Sequence, residues 1–130
     1  MDEFYIENKI YYHDTDSGGV VYYGRYLDHL EEGRSEFLKS KGIDIVECAR
    51  NGVIFPVVHI EADYKSPARY GDKIRIYTRV EKVGNASAHF AQEIRRGDDL
   101  LVAAKMVWVC VNKDLKPQRL PEAVRSALSA

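Results

Sequence analysis

The sequence predicts an α+β fold in which one long helix packs against a curved antiparallel β-sheet. Two periodicities indicate this fold. Between Tyr23 and Leu38, apolar side chains recur mostly at steps of three and four residues, which marks one face of an amphipathic helix. From Val58 onward they recur at every second residue, which is typical of half-buried strands. One helix early in the chain, followed by strands, favours a sheet that wraps around that helix.

The helix is predicted to begin near Tyr22 or Tyr23 and to end at about Lys41, where Gly42 can adopt the left-handed conformation that stops a helix. Gly33 lies inside this helix, where glycine costs about 1 kcal/mol relative to alanine. We therefore expect the sheet to approach the helix backbone closely at Gly33. Before the helix, a half-buried first strand is predicted from an alternating apolar set, namely Phe4, Ile6, Ile10 and Tyr12.

Four more strands are predicted after the helix, near residues 58–64, 73–80, 86–95 and 100–111. A hairpin turn at Gly97-Asp98-Asp99 joins the last two of them. The final strand is apolar on both faces, so we expect both faces to be buried. Pro121 suits the first position of a short closing helix over Glu122–Leu128.

Composition limits the classes of protein to consider. A length of 130 residues predicts one domain over 1–130, and 19 Lys+Arg against 20 Asp+Glu gives no excess of positive charge for nucleic acid. The longest apolar run, Met106–Val111, is six residues and too short to span a membrane. The N-terminus begins with acidic residues rather than a signal sequence, which predicts a cytoplasmic protein. Cys48 and Cys110 form no CxxC pair, so we expect reduced thiols and no metal site.

The loop between the first strand and the helix contains the best candidates for catalytic residues. Asp16 could cap the helix, as Asp often does, but the first turn would then contain Ser17, Gly18 and Gly19, which favour helix poorly. If the helix begins later, the two glycines can fold the loop back over the helix end. Asp16 would then lie beside unpaired backbone N–H groups. Spacing alone leaves both interpretations open.

The second interpretation suits acyl-transfer chemistry. A helix N-terminus presents free N–H donors and a partial positive charge to a carbonyl oxygen. Such a donor becomes more valuable as that oxygen gains negative charge in the tetrahedral state. A nearby carboxylate can attack the carbonyl carbon or activate water to do so.

Other polar residues near the loop and helix are expected to have structural roles. Asp14 would either form a carboxylate pair with Asp16 or tie the loop to neighbouring backbone N–H groups, and we favour the second role. Glu31 and Arg34 have the i,i+3 spacing of an ion pair. The four histidines lack ligand spacing and are predicted to lie at the surface or an interface; they are His13, His29, His59 and His89. Of these, His59 is the best candidate for a functional role because its strand is mainly apolar.

The sequence resembles the YbgC and 4-hydroxybenzoyl-CoA thioesterase group of hotdog-fold enzymes. The matching motifs are Tyr12-His13-Asp14-Thr15-Asp16, Gly19-Val20-Val21-Tyr22, Tyr26-Leu27, Glu31 with Arg34, Ala62-Asp63-Tyr64, Ser66-Pro67-Ala68-Arg69, Asp72, Val109-Cys110-Val111, Lys116-Pro117 and Leu120-Pro121. They span nearly the whole chain. Tyr23 is a departure, because enzymes of this group commonly have His at that position.

The resemblance implies a hotdog fold, a homodimer whose sheet continues across two subunits, active sites at the dimer interface and, in many members, a tetramer. It implies an acyl-CoA thioesterase in which Asp16 is the catalytic carboxylate and the backbone N–H near Tyr23 polarises the thioester carbonyl. Substrate contacts are expected from Gly19, Val21, Tyr22, His59 and Arg69. Candidate cations for the coenzyme A phosphates are Arg69, Lys65, Arg95 and Arg96.

We expect no bound cofactor or metal, because coenzyme A is part of the substrate. Acyl carrier protein is a second possible carrier of the acyl group. Two rival functions are compatible with the fold. A hotdog dehydratase would use a His base, and no His occupies the position of Asp16. A non-catalytic acyl-CoA binding protein would retain the pocket without turnover, and the presence of Asp16 argues against it.

Overall fold

A computed structural model describes residues 3–129 of the chain. Its sheet contains five antiparallel strands in the spatial order β1-β3-β4-β5-β2. In chain order the elements are β1 (Tyr5–Lys9), a 3-10 turn (Tyr12–Asp14), α1 (Arg25–Ser40), α2 (Ile45–Arg50), β2 (Val57–Tyr64), β3 (Lys73–Val83), β4 (Ser87–Arg96), β5 (Asp99–Val109) and α3 (Glu122–Ser129). The long helix α1 packs against the curved sheet, which confirms the predicted α+β hotdog architecture.

The core has two parts along α1. Near the start of the helix, Tyr26 and Leu30 pack against β3, β4 and β5 in a cluster that includes Ile76 and Ile94. Near its end, Phe37 packs with Phe90 and other side chains that α3 covers. Most of the stripe that the sequence predicted is therefore the buried face of α1, and burial of this face holds the helix on the sheet. Two of its predicted members differ, because Leu27 is exposed and Tyr23 is exposed and lies before the helix. The helix ends at Ser40, and Gly42 has φ of 81°, which confirms the predicted stop.

Three details differ from the sequence predictions. Tyr12 does not continue the first strand: it lies in the 3-10 turn and is 80% exposed. Helix α2 was not predicted, although Asp44 caps it by accepting hydrogen bonds from the N–H groups of Val46 and Glu47. The outward face of β5 is half-buried rather than buried, and Lys105 on it is exposed.

Strand β2 forms one edge of the sheet and, in the described part of the chain, pairs only with β5. Its side chains are exposed or half-buried on both faces, and the large apolar ones among them are Val57, Val58, Ile60 and Tyr64. An exposed apolar edge strand is a ready template for pairing with another chain. Among residues 3–129, no helix is both long enough and apolar enough to cross a membrane.

Candidate active site

The loop from Asp14 to Tyr22 is a small hairpin that returns the chain to the start of α1. The Tyr22 N–H donates to the Asp14 carbonyl at 2.9 Å, and the Asp16 N–H donates to the Val20 carbonyl at 2.9 Å. Gly19 closes the turn with φ of 81°, a conformation that favours glycine. This hairpin folds the chain back so that Asp16 pairs with Val20, which lies five residues before the start of α1 at Arg25.

The Asp16 side chain forms a tight turn within this loop. Its Oδ1 accepts a hydrogen bond from the Gly18 N–H at 2.7 Å, and the residue is exposed in a single chain. Asp16 does not cap α1, because the helix begins at Arg25 with Gly24 as its N-cap residue. The later helix start is therefore confirmed, two residues beyond Tyr23, and the capping interpretation is wrong. One carboxylate oxygen, Oδ2, has no protein partner among residues 3–129.

The first turn of α1 leaves backbone donors free. The Arg25 N–H donates to the Tyr22 carbonyl at 2.8 Å, and the N–H groups of Tyr26 and Leu27 donate to the next two carbonyls. The N–H groups of Tyr23 and Gly24 donate to no acceptor within the described range 3–129. Free donors of this kind, at the positive end of a 16-residue helix, suit a carbonyl oxygen that gains negative charge.

Tyrosines surround this helix end. The rings of Tyr22 and Tyr23 are 4.8 Å apart, and Tyr64 at the end of β2 contacts both Tyr23 and Tyr26. Tyr26 is buried, and its hydroxyl accepts a hydrogen bond from the Ala68 N–H at 3.0 Å. Burial raises the pKa of Tyr26, so this phenol stays neutral near pH 7. The other three rings are exposed and are available to contact a ligand or a second subunit.

Asp14 is the buried carboxylate of the loop. Burial raises its pKa, but hydrogen bonds from the Tyr11 N–H and from Arg25 together with the nearby histidines lower it by more, so the net shift is downward. The predicted role of Asp14 in binding backbone N–H groups is confirmed by the 2.9 Å contact between its Oδ2 and the Tyr11 nitrogen. His29 lies beside Asp14 and is 5% exposed, so the prediction of a surface or interface position for this histidine is wrong.

The predicted Glu31–Arg34 ion pair does not form. Arg34 is buried and its Nη1 donates to Gln92 Oε1 at 3.0 Å, whereas Glu31 accepts a hydrogen bond from Ser35. Burial lowers the pKa of Arg34, and the charge of Glu31 partly offsets this. The partner of Arg34 comes from β4, far along the chain, so helix spacing alone could not identify it.

The structure brings most of the predicted site residues together. Asp16, Gly19, Tyr22 and Tyr23 share the loop and helix end, and a bridge between Val20 and Arg69 places Arg69 at the same end of the molecule. Val21 differs from the others because its side chain packs in the core. His59 of β2 pairs with Val107 of β5 and lies about 16 Å along β2 from Tyr64, given a rise of about 3.3 Å per strand residue. A single chain therefore leaves His59 away from the loop.

Two of the four candidate phosphate-binding cations are already in ion pairs. Arg95 is bound to Glu93 at 2.9 Å, and Arg96 is bound to Asp72 at 2.7 Å. Within the described range, the side chains of Arg69 and Lys65 form no ion pair. These two cations have the greater freedom to meet a phosphate.

The chain is similar to thioesterases over nearly its whole length. The family model described as the thioesterase-like superfamily matches residues 11–128. The acyl-CoA thioester hydrolase YbgC of Escherichia coli O6:H1 is 33% identical over 118 residues, which cover 89% of this chain and 88% of that protein. A chloroplastic acyl-acyl carrier protein thioesterase, ATL3 of Arabidopsis thaliana, is 31% identical and covers 97% of this chain, which spans 68% of that protein.

Solved structures agree with this result. The crystal structure of a probable thioesterase from Bartonella henselae superposes with a TM-score of 0.88 at 35% identity, covering 92% of this chain and 100% of that one. The sequence motifs, the fold and the similar proteins therefore all indicate a thioesterase. The chain belongs to the thioesterase-like superfamily, and it is a thioester hydrolase with the hotdog fold.

Proposed function

We propose that this protein hydrolyses acyl-CoA thioesters, with Asp16 as the catalytic carboxylate and the N–H groups of Tyr23 and Gly24 as donors to the thioester carbonyl oxygen. The observation that carries the proposal is the pair of unpartnered N–H groups at the start of α1, joined by a short hydrogen-bonded hairpin to Asp16. The YbgC relative, an acyl-CoA thioester hydrolase, supports the substrate class.

In the proposed reaction, water adds to the thioester carbonyl carbon and the carbon–sulfur bond breaks. The products are a carboxylic acid and coenzyme A, whose sulfur receives a proton. Asp16 acts either by removing a proton from the attacking water or by attacking the carbon itself to give an anhydride that water then hydrolyses. In both routes the carbonyl oxygen becomes negative next to the Tyr23 and Gly24 donors, where a single donor is worth about 2.7–4 kcal/mol.

A second subunit completes this site in the proposal. Asp16 and Tyr23 are exposed in one chain, whereas acyl chemistry of this kind benefits from a cleft that excludes water. The exposed apolar edge of β2 supports a homodimer in which two β2 strands pair in antiparallel fashion. Pairing centred on the strand would place His59 of the partner subunit opposite the Ala62–Tyr64 half of β2, toward the loop.

The proposal requires no cofactor or metal beyond the substrate itself. Arg69 and Lys65 are the proposed contacts for the coenzyme A phosphates, because Arg95 and Arg96 are already paired with carboxylates. The similarity to an acyl carrier protein thioesterase makes the phosphopantetheine thioester of acyl carrier protein a second substrate to test.

The test is release of free thiol from a panel of short, long and aromatic acyl-CoA thioesters and an acyl carrier protein thioester. Asp16→Asn removes the charge with little change of shape, and Asp98→Asn, in the exposed β4–β5 turn, is the matched control. We expect Asp98→Asn to match the parent and Asp16→Asn to lose at least 100-fold in kcat, by analogy with general acid–base contributions of about 10²–10⁴. Equal rates from Asp16→Asn and the parent would remove Asp16 from the mechanism. No release from any thioester would favour a binding protein.

The proposed dimer has a separate test in sedimentation equilibrium. Ile60→Glu introduces a charge on the exposed edge strand β2 and is expected to give a monomer with reduced activity. Tyr5→Glu places the same charge on β1, the opposite edge of the sheet, and should leave the assembly unchanged. If Ile60→Glu assembles like the parent, pairing through β2 is wrong.

A further inference from the structure

We propose that Asp14 is a positioning residue for the reaction, and that its carboxylate, held between Arg25 and His29, fixes Asp16 relative to the Tyr23 and Gly24 donors. This inference rests on the catalytic role proposed for Asp16. It assigns a function to a buried charged cluster that has no part in the chemical steps themselves.

Asp14 forms hydrogen bonds on both sides of the loop that carries Asp16. Its main-chain carbonyl accepts the Tyr22 N–H at 2.9 Å, directly before the two free donors. Its carboxylate Oδ2 accepts the Tyr11 N–H at 2.9 Å, which fixes the chain entering the loop. Asp14 is also only two residues before Asp16. A rotation or shift of Asp14 would therefore move the Asp16 carboxylate relative to the N–H donors of Tyr23 and Gly24.

Arg25, the first residue of α1, binds this carboxylate. Its Nε and Nη2 lie 3.2 and 3.0 Å from Asp14 Oδ1, and the Asp14 side chain is only 2% exposed. Both hydrogen bonds converge on one carboxylate oxygen, and charge-assisted hydrogen bonds of this kind are stronger than neutral ones. Arg25 also bonds Asp28 at 2.6 Å, which holds the guanidinium against the helix. The start of α1 and the loop are thereby tied together through side chains as well as the backbone.

His29 occupies the other side of Asp14. Its Nε2 is 3.3 Å from Asp14 Oδ1, but it is out of line for a hydrogen bond and has no other partner in the described part of the chain. Its Nδ1 is 3.0 Å from the amide nitrogen of Asn8, which also donates to Glu32 Oε1 at 2.7 Å. An amide nitrogen has two hydrogens, so Asn8 can donate to both. In the neutral imidazole this arrangement assigns the hydrogen to Nε2, which faces Asp14.

The remaining charged groups around the cluster are few. His13 Nε2 lies 3.8 Å from Asp14 Oδ1 at the surface, and Glu32 lies 3.8 Å from His29 Nδ1. The Asp14 carboxylate thus accepts hydrogen bonds from the Tyr11 N–H of the loop and from Arg25 of α1, with His29 of α1 packed beside it. A carboxylate held from both the loop and the helix is well suited to orient a neighbouring reactive group, because rigid support of a site determines its geometry.

A positioning role predicts a loss of turnover that a purely structural role would not give. Asp14→Asn keeps the shape but removes the charge that Arg25 binds. We expect kcat to fall about 10- to 100-fold with KM changed less than threefold, because small misplacements of reacting groups lower kcat by up to about 100-fold. Arg25→Met should give the same pattern and is a second variant, because it leaves Asp14 in place and removes only its guanidinium partner.

The experiment is a double-mutant cycle on thioester hydrolysis with Asp14→Asn, Asp16→Asn and the combined variant, each assayed well below its melting temperature. If Asp14 acts through Asp16, the combined variant has the same kcat as Asp16→Asn alone. Arg125→Met is the control for lost stability, because it removes hydrogen bonds to Gly84 and Asn85 in the β3–β4 turn. It should lower Tm without lowering kcat.

The outcomes separate this inference from the proposed function. An active Asp16→Asn variant would overturn the catalytic role of Asp16. An inactive Asp16→Asn variant together with parental kcat in Asp14→Asn and Arg25→Met would overturn only the positioning role. Losses that multiply in the combined variant would also overturn it, since Asp14 would then act independently of Asp16.

Discussion

Gly33 of α1 lies directly over Ile76 of β3, so closely that a Cβ placed on Gly33 would come within 2.6 Å of Ile76 Cγ2. Thr78 Oγ1 and Gln92 Nε2 would lie 3.1 and 3.2 Å from the same position. All three neighbours are buried, so none can move without disturbing the sheet. The close approach that the mid-helix glycine predicted is therefore confirmed, and it sets the distance between α1 and the sheet.

We predict that Gly33→Ala destabilises the fold. Overpacking costs about 1–3 kcal/mol and the better helix propensity of alanine returns about 1 kcal/mol, so a net loss of up to about 2 kcal/mol is expected. Urea unfolding at one protein concentration measures it. Ile76→Leu moves the branch away from the contact, so the variant carrying both changes should recover part of the loss. An Ala variant as stable as the parent would show that the helix can shift freely.

Gln92 is predicted to be essential for the buried polar contacts under α1. Its amide nitrogen donates to the Leu30 carbonyl and to Thr78, and its oxygen accepts from Arg34. Gln92→Leu leaves a buried guanidinium without that acceptor, and each unsatisfied buried group costs about 1–3 kcal/mol. We expect a loss of at least 2 kcal/mol in urea unfolding. Ser35→Ala, which removes an exposed helix hydrogen bond to Glu31, is the control and should change stability by less than about 0.5 kcal/mol.

The predictable part of the fold is the part that local patterns determine. The stripe on α1, the stop at Gly42 and the strand alternation of β3 each depend on neighbours within a few residues. Helix α2 was missed because none of its six residues is buried, and six residues are too few to show a helical repeat of apolar side chains. The burial of the outward face of β5 was overestimated, since apolar residues on both faces of a strand do not reveal whether anything covers the second face.

The predictable part of the candidate site is the loop, where two glycines and a poor helix-forming sequence correctly indicated a late helix start. The long-range contacts were not predictable. Arg34 could pair with Glu31 by helix spacing, but the bond to Gln92 depends on how α1 crosses the sheet. His29 carries no sequence signal of burial, because its partners Asn8 and Asp14 come from a strand and a loop outside the helix.

We predict that stability falls in acid because of two carboxyls. The pKa values of Asp14 and Asp72 are lowered: burial raises them, but backbone N–H donors and the side chains of Arg25 and Arg96 lower them by more. A carboxyl with a lowered folded-state pKa contributes stability fully above its unfolded pKa, which is close to 3.8, and loses it as pH falls through the folded value. The free energy of unfolding should therefore decline from about pH 4 downward.

Urea unfolding at pH 7, 4 and 3 measures this decline. Asp14→Asn is expected to be less stable than the parent at pH 7 and to lose less stability between pH 4 and pH 3, because one of the two linked protons is absent. Asp72→Asn should behave in the same direction. If the decline is as steep in Asp14→Asn as in the parent, the Asp14 carboxyl does not contribute to acid unfolding.

The last prediction separates the Tyr23 side chain from its backbone N–H. Tyr23→Pro removes the N–H, and because Tyr23 lies before the first residue of α1 and its N–H donates to no acceptor in the described range, no hydrogen bond of the helix is lost and α1 should persist. Tyr23→Ala removes the ring but keeps the N–H. If the backbone donor polarises the thioester, Tyr23→Pro lowers kcat by about 10²–10³-fold relative to Tyr23→Ala. Circular dichroism and Tm confirm that both variants fold. Similar kcat values in the two would assign the Tyr23 contribution to its ring and leave Gly24 as the donor, since the Gly24 N–H is also free.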